Sequence, residues 1–341
     1  MKRGCVIGYD INEKGCQISY YDDSMEEPDT MMASSNNYLI PLVLGYFKDR
    51  WVFGKEAKRL AVVGEDCTET DLYGKAKHRE KVSLAGKTYD AVWLLAKYIS
   101  LTLQDFENIQ YLTFTTPETD VDMAKMLKGI GQHIGVDKEI INVQDYKESF
   151  CQYMIFQPKE LWQYESALFY CDEDRIKAYM LRRLRVDASH GMNSFVTVDE
   201  VANAQRKELE ALYPIMNKEK SPDESFKSMI ENVFEKKVIS SVYLTGEGFE
   251  KNWYPNSLRV LCNGRRAFMG NNLYSKGACY KSIRKCESND DGPIYLDETK
   301  LTERICLRMR VDGQEGWYPL VTWGTHWYEA DGQWEVLLED A

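Results

Sequence analysis

The feature that most restricts the fold is an order of elements that occurs twice along the chain. Residues 4–9 (GCVIGY) read as a buried strand, Asp10 to Gly15 as a polar turn and residues 16–21 (CQISYY) as the returning strand. From Ser166 the order returns: SALFYC as a strand, Asp172-Glu173-Asp174 as a turn and IKAYMLRR as a second strand. After the first hairpin, LIPLVLGYF (39–47) and RWVF (50–53) predict a strand pair. Val92, Leu95, Ala96, Ile99, Leu103 and Phe106 predict an amphipathic helix over 90–106. A strand at Tyr111 to Thr115 leads into a helix start signalled by Thr116-Pro117-Glu118, followed by a strand at 139–143 and a helix from Asp145 to Phe156. After the second hairpin come helices near 198–213 and 223–237, a strand at 238–244, the turn Thr245-Gly246-Glu247-Gly248 and a helix over 271–284. Strands alternating with helices imply an α/β fold, a mostly parallel sheet covered on both faces, duplicated in pattern rather than in residue identity.

Several function classes lack support. With 43 basic against 54 acidic residues the formal charge is −11, which opposes a nucleic-acid backbone as the main ligand. No apolar run is long enough to span a bilayer, and MKRGCVIGYD turns polar too soon for a signal peptide, so a cytoplasmic protein without membrane insertion is expected. Nine scattered cysteines suggest reduced thiols, and Cys279 with Cys286 matches no usual zinc spacing. Ala85-Gly86-Lys87-Thr88 has the tail of a phosphate loop, but Lys81 stands where its first glycine belongs, so it reads as a solvated turn. Gly135 reads as a helix C-terminal cap, and the basic run Arg175, Lys177, Arg182, Arg183, Arg185 as a solvated face. No G-x-S-x-G elbow occurs.

From Pro293 the character changes. Ile305, Leu307, Met309 and Val311 alternate with polar residues, Asp312-Gly313 and Asp331-Gly332 are turn dipeptides, and Trp317, Trp323, Trp327 and Trp334 cluster here. Roughly fifty residues make a poor core alone, so this antiparallel unit should dock on the rest, pair with another chain or begin a longer domain. The chain stops directly after a strand-like WEVLL, which suits a trimmed end. The expected divisions are 1–145, 146–288 and 289–341.

Each hairpin carries an aspartate, Asp10 or Asp172, at the mouth of its turn. Two such carboxylates facing each other across a cleft would suit a hydrated magnesium ion carrying a nucleotide triphosphate. Gly246 and Gly248 would let backbone come close to a ligand. On these residues the sequence, over roughly 3–285, resembles the actin, seventy-kilodalton heat-shock chaperone and sugar-kinase superfamily of ATPases, whose duplicated halves are ribonuclease H-like, with mixed sheets and helices on both faces. VIGYDINEKGCQISYY resembles the first phosphate hairpin, ALFYCDEDRIKAYML the second, and VYLTGEGFEKNWYP the adenosine strand and turn. IINVQDYKESFCQYM looks like the segment between the halves and SKGACYKS like the closing helix, with Gly277 as its small packing residue. The resemblance implies ATP and magnesium as cofactors, with Asp10 and Asp172 holding the metal through water. It also implies Asn12, Lys14, Gly246, Gly248 and Phe249 near the nucleotide, and Gln144 or Asp145 positioning the attacking water for hydrolysis. It further implies that nucleotide state is passed to a protein partner through the C-terminal β unit.

The chain departs from that pattern where phosphate would sit. The family places glycine two residues after each aspartate; here Asn12 and Asp174 stand there. Asn12 can adopt a left-handed turn. Asp172-Glu173-Asp174 sets three acids around an anion, an approach that costs on the order of 1 kcal/mol or more for each like charge, offset in part by Lys14 or Arg175. Two readings follow: ATP binding with weak or no hydrolysis, or a non-catalytic scaffold on a relic ATPase fold.

Overall fold

Strands buried on both faces in the chain's first half, and again in its second, become two mixed sheets that repeat one wiring. The computed structural model describes residues 4–34, 37–63, 67–173, 175–184, 194–205, 222–251, 253–287 and 292–330. In order these hold β1 (Cys5–Ile11), β2 (Gly15–Tyr21), β3 (Asp29–Thr30), β4 (Ile40–Pro41), β5 (Leu44–Phe47), β6 (Arg50–Phe53), α1 (Gly54–Val63), β7 (Thr68–Glu69), α2 (Leu72–Lys77), β8 (Lys81–Leu84), β9 (Lys87–Asp90), α3 (Ala91–Thr102), β10 (Ile109–Thr116), α4 (Val121–His133), β11 (Ile141–Asp145) and α5 (Tyr146–Ile155). Then come β12 (Glu165–Cys171), β13 (Arg175–Leu184), β14 (Phe195–Gln205), α6 (Pro222–Phe234), β15 (Ile239–Thr245), α7 (Pro255–Leu261), β16 (Arg266–Met269), α8 (Leu273–Cys286), β17 (Ile294–Tyr295), β18 (Ile305–Val311) and β19 (Gln314–Val321).

The first sheet runs β11-β10-β1-β2-β3 and the second β16-β15-β12-β13-β14-β17. In each, a hairpin is antiparallel (β1/β2, β12/β13), and the next two strands add parallel to its first member (β10 and β11; β15 and β16). The sheets are therefore mixed, as the resemblance implies, where strand–helix alternation alone suggests a mostly parallel sheet, because each hairpin supplies an antiparallel pair beside the crossover strands.

The core is layered. Residues of α3 and α4 pack with Ile7, Tyr9, Leu112 and Phe114 on one face of the first sheet. Phe226, Ile230 and Leu261, from α6 and α7, pack with Phe169, Ala178 and Leu244 of the second. Between the sheets, α5 (Phe150, Cys151, Met154) covers the second sheet and α8 (Cys279, Tyr280, Ile283) covers the first. Backbone approach here is close enough to require glycine. A Cβ at Gly8 would lie 2.2 Å from the Cys279 nitrogen, and one at Gly277 would lie 1.9 Å from the Ser149 carbonyl oxygen, joining α8 to α5. Gly277 is thus the small packing residue anticipated, and α8, though late in the chain, belongs to the first sheet.

Some local expectations need correction. Residues 198–205 lie in β14, not in a helix, because they continue the ladder with β13; the rest of that predicted helix is outside the described residues, as are Trp334 and Asp331-Gly332. α4 is capped by Asp120, which accepts from the Met123 N–H, and not by Thr116, which closes β10. Ala85-Gly86 is the turn of the β8/β9 hairpin, with both residues at positive φ, and Gly135 follows α4 at φ +91, as a C-terminal cap requires. Asp312-Gly313 turns the β18/β19 hairpin in the same left-handed way. Lys177 pairs with Glu200, Arg182 with Glu165 and Asp199, and Arg183 lies over the Trp162 ring, so these three side chains of the basic run are used in local contacts. No helix among the described residues is long and apolar enough to cross a membrane.

Candidate functional site

At the ends of both hairpins a cleft of about 380 Å³ opens between the sheets. Its lining includes Asp10, Asn12 and Lys14 from the first hairpin, Asp172 from the second, and Gly246 and Glu247 from the turn after β15. The two aspartates that the sequence singled out do share one crevice. Their roles differ from the expected pair, however. In the ladders Asp10 pairs with Thr115 on β10, whereas Tyr170, not Asp172, pairs with Thr245 on β15. The last antiparallel pairs are Ile11 with Cys16 and Cys171 with Ile176, so Asp172 occupies the turn position held by Asn12 in the first hairpin. Both side chains do the same work there. Asn12 Oδ1 accepts from the Lys14 and Gly15 N–H groups, and Asp172 Oδ1 accepts from the Arg175 N–H at 2.7 Å. Asn12 has no positive φ, so it shapes the turn through its side chain instead of a left-handed backbone.

Asp10 is 3% exposed. The Tyr146 hydroxyl donates to Asp10 Oδ1 at 2.7 Å and accepts from Asn12 Nδ2 at 2.9 Å. Burial pushes the Asp10 carboxyl up to about 7, with the Tyr146 hydrogen bond offsetting part of the rise. The Tyr146 ring stacks on Tyr274 with centroids 3.7 Å apart and planes within 6°. Tyr274 comes from the first turn of α8, and Tyr170 tilts against it at 6.5 Å. On the open side, Lys14 Nζ reaches Glu247 Oε2 at 3.3 Å, an ion pair between the two halves. Glu250 also lines the space.

Of the remaining predicted residues, Gln144, Asp145, Gly248 and Phe249 do not line the cleft. Gln144 donates its Nε2 to Ser149 Oγ and faces a separate cavity behind α5. Asp145 caps α5 by accepting from the Glu148 N–H, and burial lifts its carboxyl to about 6. Neither is placed to orient a water at Asp10. Gly246 (φ +101) and Gly248 are needed for packing: their Cβ atoms would lie 2.1 Å from the Cys171 carbonyl oxygen and 2.2 Å from its sulfur. The Gly246 N–H is taken by Asn271 Oδ1 at 3.0 Å, and Phe249 is a core residue 1% exposed.

These residues do not fit magnesium-ATP. Asp10 is enclosed by a tyrosine, Asp172 caps its own turn, and Lys14 faces an acid. Four carboxylates and one lysine line the space, a charge balance that repels a triphosphate. Among the described residues no group of three or more His, Cys, Asp or Glu side chains is arranged to hold a metal ion.

Two features escaped the sequence reading. Tyr146 and Tyr274 meet from positions far apart in the chain, and neither carries a local signal. Behind α5, Glu148 (3% exposed side chain) accepts from Lys300 Nζ at 2.6 Å and Lys281 Nζ at 3.0 Å. Burial alone would raise the Glu148 carboxyl, but the two ammonium groups, with His326, hold it well below the usual carboxylate range. Lys300 thereby anchors the C-terminal segment on the two-sheet body, which answers how that segment is supported.

A family model described as a C-terminal family of unknown function (DUF5716) matches residues 27–298, and a domain of unknown function (DUF8552) matches residues 300–341. The curated proteins contain no match to the sequence.

Proposed function

Given that the chain belongs to the DUF5716 C-terminal family, of unknown function, we propose that it is a non-catalytic scaffold built on a duplicated actin-like fold, with the Asp10 carboxyl at the floor of its cleft covered by Tyr146. The repeated strand order of the two sheets supports the fold part of this reading. One observation carries the functional part. The Asp10 carboxylate, which the resemblance assigns to a hydrated metal, is buried beneath the Tyr146 hydroxyl and the Tyr146–Tyr274 stack. Displacing that stack would expose aromatic surface and leave Asp10 with neither a hydrogen-bond donor nor a neighbouring cation.

A scaffold needs a contact surface, and the C-terminal hairpin supplies one. Leu307 and Val311 are exposed on one of its faces, with Ile305 exposed at its start, and Trp317, 70% exposed, stands on the other face beside Arg308. This is where a protein partner would be engaged.

The reading is tested by melting the full chain with and without millimolar magnesium-ATP, alongside a phosphate-release assay. A ligand at about a hundred times its dissociation constant would add about 2.7 kcal/mol of stability. An unchanged melt and no phosphate release are expected. A magnesium-dependent shift that disappears in Asp10→Ala would overturn the reading and restore the nucleotide site.

A further inference from the structure

On the side of α3 and α4 away from the first sheet lies an open groove of about 470 Å³. Val92 and Ala96 line it from α3, and Met126, Gly129 and Ile130 from α4, with Trp93 as an aromatic wall. Trp93 is 38% exposed, and its ring is held by stacking on Tyr89, with centroids 5.5 Å apart and planes within 11°. A fixed aromatic ring beside an apolar floor is a ready anchor, because little freedom remains to be lost on binding.

The second observation is Gly129. It lies in the interior of α4 without a positive φ, at a position where glycine is disfavoured relative to alanine. Packing within the fold does not call for it. A Cβ there would meet nothing within 4 Å, whereas one at Gly131 on the same helix would lie 2.6 Å from Ile141 Cδ1. Lys125, Gly129 and His133 follow one another at four-residue spacing along α4, so the missing side chain leaves a gap in that row. A residue of another helix could enter it.

Charge selects the occupant. Arg79, Lys125 and His133 rim the groove, and among the described residues none of their side chains has a hydrogen bond or an ion pair. Asp90, the acid in the lining, is already engaged. Its Oδ1 accepts from the Val92 and Trp93 N–H groups at the start of α3, and Lys81 Nζ lies 3.5 Å from its Oδ2. In a chain of net charge −11 this is a local cationic rim around an apolar floor.

We propose that this groove is a docking site for an acidic amphipathic helix of a partner protein, a contact separate from the C-terminal hairpin. Two helices side by side present rows at i±4 spacing, and a third helix laid along them is the shape that fits. Its apolar stripe would cover Trp93, Met126 and Ile130, one side chain would fill the gap at Gly129, and its carboxylates would meet Arg79 and Lys125.

The test uses the full chain and a fluorescein-labelled helical peptide of about sixteen residues, with leucines at i, i+3, i+4 and i+7 and glutamates outnumbering lysines on its other face. A second peptide exchanges every glutamate for lysine and every lysine for glutamate. Fluorescence anisotropy should show saturable binding of the acidic peptide, weakened by added salt, and about tenfold or more weaker binding of the basic one. Gly129→Leu fills the gap with a residue that favours helix. Its melting temperature should therefore stay the same or rise, while affinity for the acidic peptide falls about tenfold or more. Lys125→Glu combined with Arg79→Glu should lower affinity for the acidic peptide and raise it for the basic one. No saturable binding, equal binding of the two peptides, or affinity undiminished in Gly129→Leu would overturn the proposal. So would concentration-dependent self-association that Gly129→Leu abolishes, which would give the groove to a second copy of the chain.

Discussion

Asp10→Asn is the most informative single change in the cleft. The Asn side chain keeps an oxygen for the Tyr146 hydroxyl to donate to, so shape and hydrogen bond persist and only the charge is lost. In the folded chain burial raises the Asp10 carboxyl from an ordinary value of about 3.8 to about 7. An acid raised in this way favours the fold when protonated. Its contribution is fully present below the unfolded value and is lost as pH rises through 7. At about 1.36 kcal/mol per unit, a rise of some three units makes ionised Asp10 cost up to roughly 4 kcal/mol above pH 7. Asp145, raised to about 6, slopes the same way, while Glu148, held low, works in the opposite sense only at acid pH. The difference between wild type and Asp10→Asn therefore isolates the one carboxyl. Urea unfolding at pH 5, 6, 7 and 8 should show wild type losing stability upward through this range, with the variant markedly flatter and more stable at pH 8. Parallel curves, or a variant weaker at pH 8, would mean that Asp10 carries its charge in comfort and that the cleft is open to a cation after all.

Two further outcomes follow from the packing between the sheets. Lys300→Met should cost about 3–5 kcal/mol in urea unfolding and expose the C-terminal segment to limited proteolysis, because it leaves the buried Glu148 with Lys281 as its nearer remaining partner. A loss below 1 kcal/mol would show that the segment is held by other contacts. Gly277→Ala places a methyl 1.9 Å from the Ser149 carbonyl oxygen, backbone that cannot move without shifting α5, so a loss of at least 1–3 kcal/mol is expected in the same assay. An unchanged midpoint would mean that α5 and α8 sit further apart.

Hairpins, crossover strands and the antiparallel C-terminal hairpin were legible because period-two and period-3.6 patterns are local. Residues 198–205 were misread as helix because VDEVANAQ is mixed in pattern, and its strand state is fixed by pairing with β13 rather than by its own sequence. The site was legible in part: Asp10, Asn12, Lys14, Asp172 and Gly246 line one cleft, as strand-end residues of adjacent hairpins should. Register was not legible. Each hairpin has an aspartate near its turn, but Asp10 lies inside β1 while Asp172 lies beyond β12, and an offset of two residues exchanges a ladder position for a turn position. The resemblance put Gln144 beside the attacking water, yet it faces the cavity behind α5.

The two sides of the sandwich are held by forces of different size, and that difference bears on whether the halves could open and close around a ligand. Across the cleft mouth runs Lys14–Glu247, with both side chains more than 40% exposed, a contact worth no more than about 1 kcal/mol. Between the sheets, helix–strand and helix–helix backbones meet at Gly8 and Gly277. Ser19 shares a hydrogen bond with Ser275, and Thr113 one with Ser282, all four side chains buried. Glu148 then ties α5 to both α8 and the C-terminal segment. The Gly8, Ser19 and Thr113 contacts hold α8 on the first sheet. A hinge would have to shear the backbone contact of α8 with α5 at Gly277 and the buried Thr115–Ser149 hydrogen bond, which tolerate little sliding because the packing leaves no space to move into. The strong contacts thus oppose the motion that a nucleotide cycle requires, and the weak one lies where such a cycle would need to be controlled. That division of forces suits a body that holds its shape and presents a C-terminal surface more than one that reports the state of a cleft.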